Sequence, residues 1–117
     1  VMSNAGHMDP IIKDSKNTRQ HEIKGATALG LMDAVEYPDI AFQLDHNASM
    51  IMYTDGISEA HDIESNQYSD EKLIDLITTI DTANCEETGN KVIESVDEFA
   101  GKAEQFDDIT ILIISYE

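Results

Sequence analysis

The chain has 117 residues, 41% of them hydrophobic and 26% charged, a balance that suits one folded domain and excludes a disordered tail. Seven Lys and Arg against 24 Asp and Glu leave a formal charge of −17, so nucleic-acid phosphates and anionic membrane surfaces are poor partners. Cys85 is the only cysteine, which excludes an internal disulfide or a cysteine metal cluster, suits a reducing compartment, and reads as a bystander.

No apolar run is long enough to span a bilayer and the N-terminus lacks the form of a signal peptide, so a cytoplasmic location is expected. The chain opens on Val1 and turns strand-like within a few residues, so a piece of a longer protein is expected. Although "SNA" and "GHM" occur as scars of expression vectors, "SNAGHMDP" runs on smoothly and reads as native sequence.

In chain order, "IIKD" at 11–14 and "DIAFQLD" at 39–45 read as strands with one wet face, the second alternating Ile40, Phe42 and Leu44 with polar neighbours. "KNT" and the stretch "KGATALGLMDAVEYP" lie between them, and Gly25, Gly30 and Pro38 mark that stretch as loop. "SMIMY" at 49–53 and "ITILII" at 109–114 are apolar at successive positions, as expected of core strands covered on both sides. Two helices separate them. Ser69 is placed to cap the first, with Asp70 and Glu71 in its first turn and Leu73, Ile74, Leu76, Ile77 and Ile80 as its stripe. The second opens on Asn84 and Glu87, which have capping-box form; it carries Val92, Ile93, Val96, Phe99 and Ala100, and Gly101 stops it. No repeat, low-complexity tract or linker divides the chain, so the expected class is α+β with one domain over residues 1–117.

Chemistry is concentrated at two strand ends. "YTDG" places Asp55 and Gly56 just after one core strand, and "FDD" places Asp107 and Asp108 just before the other. If those strands pair antiparallel, Asp55 and Asp107 lie at the same sheet edge. Converging carboxylates repel unless a proton or cation sits between them, and hard oxygen ligands suit magnesium or manganese. Gly56 would then let the backbone turn sharply and approach an ion. An Asp-Gly pair after a strand is more often a turn than a ligand, however, so spacing alone leaves both readings open.

"SNAGHMDPII", "ALGLMD", "YTDGISEAHD" and "FDDITILII", in this order and with two helices before the last, resemble the C-terminal half of the metal-dependent protein phosphatases of the 2C type. The resemblance is to the bacterial branch of stage II sporulation protein E and the phosphatases that regulate stress sigma factors. It implies a partial αββα sandwich, mainly antiparallel, and two metal ions, Mg2+ or Mn2+, in the complete domain. Asp55 and Asp107 match family metal ligands, so they would be ligands rather than general bases or nucleophiles. Asp108 and Thr110 complete the second motif without being expected ligands. Asn4 and Gly6 match the "NAGH" motif as possible supporting residues, and Glu59 matches a frequently acidic position. His7, His21, His46 and His61 are expected to be loop or surface residues.

The chain departs from the branch at Met8, Asp9 and Pro10, where a proline-rich run is frequent, and at Asn47 and Ala48, where Gly-Asp is frequent. Neither change touches a ligand. The aspartate that bridges both ions belongs to an N-terminal half not found here, so this segment alone is expected to be inactive. The implied partners are a phosphorylated anti-sigma-factor antagonist as substrate and an upstream sensor or receiver domain. An uncovered apolar sheet face is expected to make the segment self-associate. Two other classes remain open, a catalytically inactive binding module of the same family and an unrelated acidic α/β domain that binds one cation structurally, in which Asp55 and Asp107 would lie far apart.

Overall fold

A computed structural model describes residues 1–117. Four strands form one antiparallel sheet: β1 (Ile11–Lys13), β2 (Thr18–Gln20), β3 (Ala48–Tyr53) and β4 (Ile111–Tyr116), in the order β2-β1-β3-β4. The central pairing is the one expected, with Tyr53 opposite Ile111 and Ala48 opposite Tyr116. Three helices intervene between β3 and β4: α1 (Asp55–Ser58), α2 (Ser69–Thr79) and α3 (Cys85–Ala100).

Side chains alternate across the sheet, so Ile11, Ile51 and Tyr53 face the helices with Ile111 and Ile113 beside them. From the helices, Ile57, Tyr68, Leu73, Ile77, Val92 and Val96 close this core. Helix α3 is capped as its sequence predicts at one of two points, since Asn84 Oδ1 accepts the Glu87 N–H at 3.0 Å. The Glu87 side chain meets Lys91 at 2.7 Å, an i,i+4 pair, so the reciprocal half of the capping box is not made. At the other end Gly101 adopts φ 58° and donates its N–H to the Asp97 carbonyl. Ser69 Oγ accepts the Lys72 N–H at 3.5 Å. Helix α2 has no basic residue in its last turn. Lys13 of β1 takes that place, donating from Nζ to the carbonyls of Ile77 at 2.9 Å, Thr78 at 3.2 Å and Ile80, where the helix dipole favours a cation.

The sheet's other face is only partly covered. Ile12 and Met50 are buried, but along β4 Leu112, Ile114 and Tyr116 are 56%, 43% and 53% exposed. The expectation that both core strands are covered on both sides therefore holds for β3 and fails for β4, which is an edge strand. The molecule measures 44 × 37 × 20 Å with a radius of gyration of 15.2 Å, against about 13 Å for a compact chain of this length. It is a two-layer slab, one sheet and one helical layer.

Two further local expectations change. Residues 39–45 are not a strand; they alternate half-buried and exposed as the pattern requires, but only Ile40 finds a bridge partner, Met2. A strand needs a continuous neighbouring edge, and this stretch has none. Conversely β2 forms from the polar residues Thr18, Arg19 and Gln20 because a tight turn folds them back on β1. Asp14 organises that turn, accepting from the Lys16 and Asn17 N–H groups at 2.8 and 3.0 Å and from Arg19 Nη1 at 2.7 Å. The Arg19 hydrogen bond, followed by those two N–H groups, holds the Asp14 carboxyl down at about 2. No helix is long and apolar enough to cross a membrane.

Candidate metal centre

Strand β3 runs into Thr54, and this residue ties the two acidic motifs together. Its N–H donates to the Thr110 carbonyl at 3.1 Å, its hydroxyl donates to the Asp108 carbonyl at 3.1 Å, and its Oγ1 accepts the Thr110 N–H at 3.0 Å. These bonds carry the β3–β4 pairing one step past the strands, so Asp55 and Asp107 come to the same edge of the sheet, as the antiparallel reading requires. Sequence alone does not point to Thr54, because a threonine before Asp-Gly carries no charge and reads as the strand's end. Its signal was the matching threonine, Thr110, just after the other acidic pair.

Asp55 is not the bare end of a strand. It opens the one-turn helix α1, in which Glu59 N–H bonds back to the Asp55 carbonyl at 2.8 Å. Gly56 also has a different role from the one its sequence suggests. It is buried, and a Cβ placed there would lie 2.3 Å from the Asp108 carbonyl oxygen and 3.4 Å from that of Asp107. The close approach is to the backbone of the second motif, and it lets helix α1 sit directly on the Asp108 carbonyl group.

The carboxylates of Asp55 and Asp107 are exposed, and neither enters a salt bridge. Asp107 Oδ1 accepts the Asp108 N–H at 2.7 Å. Asp55, Glu59, Asp70 and Glu71 line one shallow depression beside Met8. Within it Asp70 is fixed, because the Tyr53 hydroxyl donates to its Oδ1 at 2.7 Å while accepting from Gln20 Nε2 at 3.0 Å. Burial, then this bond to Asp70, pushes the Tyr53 phenol far up, so it acts as a hydrogen-bond donor. No group of three or more His, Cys, Asp or Glu side chains is arranged to hold a metal ion.

Asn4 and Gly6, matched by sequence as possible supporting residues, make local contacts in the N-terminal loop. Asn4 is 7% exposed and closes its own turn, accepting the His7 N–H at 2.7 Å and donating to the His7 carbonyl at 2.9 Å. Gly6 has φ 83°, with space for a Cβ limited to 3.0 Å from Ala28 N. His7 Nδ1 contacts the Met8 carbonyl at 3.0 Å. The other histidines pack against aromatic rings, His21 on Phe42, His46 on Tyr116 and His61 on Phe106. Cys85 opens α3, and its thiol donates to Ser115 Oγ at 3.4 Å.

The same architecture recurs in solved phosphatase domains. The SiaA PP2C domain of Pseudomonas aeruginosa is 21% identical with a TM-score of 0.77 over 95% of this chain and 44% of that one. The Mn-presoaked phosphatase domain of the cell fate determinant SpoIIE from Bacillus subtilis is 18% identical, with a TM-score of 0.71 over 97% of this chain and 48% of that one. The RsbU and RsbW domains of a Mycobacterium tuberculosis protein are 24% identical, with a TM-score of 0.77 over 97% of this chain and 31% of that one. No curated sequence matches. The α+β slab is thus part of a phosphatase fold of the PP2C type, and the chain spans less than half the length of these structures. The model of the family described as "Stage II sporulation protein E (SpoIIE)" matches residues 1–117. The chain belongs to that family.

Proposed function

We propose that this chain supplies one wall of a metal-dependent protein serine/threonine phosphatase centre, with Asp55 and Asp107 as ligands to Mg2+ or Mn2+. The observation that carries the reading is the Thr54–Thr110 clamp with Gly56 seated on the Asp108 carbonyl. It holds the backbones of the two acidic motifs together at one sheet edge, which supports two hard carboxylates serving one ion, and neither carboxylate is engaged by a lysine or arginine. That donor set fits a magnesium-like ion. Two carboxylates are fewer than such an ion requires, so its remaining ligands are water and groups outside this chain. When bound, a divalent ion supplies Lewis acidity toward a phosphoryl oxygen and a lowered pKa for water.

The chain's own residues position and do not transfer protons. Thr54 and Thr110 lock the spacing of the two motifs, Gly56 sets the closeness of α1, and Tyr53 holds Asp70 beside Asp55. No nucleophile or general base is assigned. In the proposed setting the protein is cytoplasmic, the substrate is a phosphorylated anti-sigma-factor antagonist, and a sensor or receiver domain lies upstream. Family membership supports this setting. The 117-residue chain alone is expected to hydrolyse no p-nitrophenyl phosphate with Mg2+ or Mn2+ present. In the parent protein, Asp55→Asn and Asp107→Asn are each expected to abolish metal-dependent release of phosphate from a phosphoserine protein while leaving the circular dichroism spectrum unchanged. Full turnover in either variant would remove that residue from the centre, and an inactive parent with intact folding would favour the binding-module reading.

A further inference from the structure

Beside Asp107 a cavity of about 150 Å3 opens between α1, the C-terminal end of α3 and the 101–107 loop. Val96, Ala100 and Ile109 make its apolar wall, and Glu59, Asp97, Glu104 and Asp107 are its carboxylates. No lysine or arginine lines it, and neither of the two salt bridges in the protein engages any of these four acids. The Phe106 ring belongs to the same lining, 79% exposed and edge-on to His61 at 5.9 Å.

We propose that this cavity receives a basic side chain, best an arginine, of the phosphoprotein substrate close to its phosphorylated residue. The arginine's aliphatic stem suits the Val96, Ala100 and Ile109 wall, and its charged head suits the surrounding carboxylates. Phe106 offers a π face at the mouth, where a guanidinium gains a further cation–π contact.

Net charge supplies the reason for such a device. A chain of charge −17 repels a phosphorylated partner at long range, and salt screens that repulsion beyond about 8 Å. Inside that range the balance is set by neighbours of the phosphate, and a substrate cation docked next to Asp107 offsets the local negative field. The placement beside the metal centre rests on the phosphatase reading, whereas the preference for a cation stands on the cavity alone.

The test is fluorescence anisotropy with labelled 13-residue peptides of Gly, Ala and Ser in EDTA buffer. Each carries one phosphoserine, with a single arginine or its uncharged aliphatic counterpart norleucine moved through the flanking positions. In one register the arginine peptide is expected to bind at least about tenfold tighter than the norleucine peptide, as a desolvated charge-assisted contact gives. The gain is expected to fall below threefold in Asp97→Asn/Glu104→Gln and in Ala100→Leu, which fills the wall, and to persist in Asp33→Asn/Glu36→Gln, an equal charge change at exposed loop positions. Circular dichroism checks that each variant is folded, and the surface charge variant does not touch the core. Equal binding of arginine and norleucine peptides, no binding in any register, a gain kept in Ala100→Leu, or a gain lost equally in the loop variant would each overturn the proposal. Register separates the two readings: an arginine gain confined to one spacing from phosphoserine supports the placement beside a phosphate site, whereas the same gain at every spacing, and with serine in place of phosphoserine, leaves the cation preference of the cavity standing and removes only that placement.

Discussion

Gly56→Ala is the substitution whose cost is set most directly by geometry. The added carbon would lie 2.3 Å from the Asp108 carbonyl oxygen and 2.9 Å from its carbon, where ordinary contact begins near 3.4 Å, so about 1 Å of movement is needed. The obstacle is backbone already held by the Thr54 hydroxyl, and neither partner can rotate away. Overpacking of this kind costs roughly 1–3 kcal/mol, and a strained or lost hydrogen bond adds about 1 kcal/mol. Alanine's helix propensity returns about 1 kcal/mol. The net loss is about 1–3 kcal/mol, which at this chain length lowers Tm by about 4–12 °C. Gly89→Ala is the matched control, since its Cβ in α3 meets only Ile113 Cδ1 at 3.9 Å and is expected to raise Tm. Thermal unfolding followed by circular dichroism reads both. A Gly56→Ala protein that melts at or above the parent would refute the claim that α1 rests on the Asp108 carbonyl.

Lys13→Met keeps the β1 stem but removes the cation from three carbonyls ending α2, and is expected to cost about 1–2 kcal/mol in urea unfolding; no change would mean that water serves those carbonyls equally well. Asp14 has a folded pKa of about 2 against 3.8, so its contribution to the β1–β2 turn is complete above 3.8 and is lost as pH falls through 2. A carboxyl resonance titrating near 2, and moving back toward 3.8 in Arg19→Gln, is the expected NMR result, and a midpoint at 3.8 in the parent would dissolve the assigned turn. Leu112, Ile114 and Tyr116 on the open face of β4 each retain area worth roughly 1 kcal/mol on burial, and β4 has an unpaired backbone edge. Concentration-dependent self-association is therefore expected by light scattering, weakened by Ile114→Lys, and a monomer at all concentrations would contradict it.

The sequence disclosed elements wherever periodicity and packing agreed. Leu73 with Ile77, and Val92 with Val96, announce helices because their stripe is what the sheet buries. "SMIMY" and "ITILII" are equally apolar, yet only the first is central, because covering depends on what lies beyond the strand and not on the strand itself. "DIAFQLD" has the alternation of a strand and lacks only a neighbour, which no local pattern reveals. The two acidic motifs were legible, and the approach of their backbones followed from one antiparallel pairing. The clamp was not, since Thr54 and Thr110 act through backbone geometry across 56 residues. Gly56 was recognised as special for the wrong contact, because a missing side chain shows that something approaches without showing what.

On the function proposed above, Asp55 and Asp107 jointly attract one divalent cation at the sheet edge. Titrating Mn2+ into the isotope-labelled chain, with amide line broadening as the readout, tests it without any need for activity. Substoichiometric Mn2+ is expected to broaden Asp55, Gly56, Asp107 and Asp108 first, with recovery on adding excess Mg2+ and no such priority in Asp55→Asn. Broadening that begins at another acidic surface, such as Glu86 and Glu87 at the start of α3, or that spreads evenly over the chain, would contradict it.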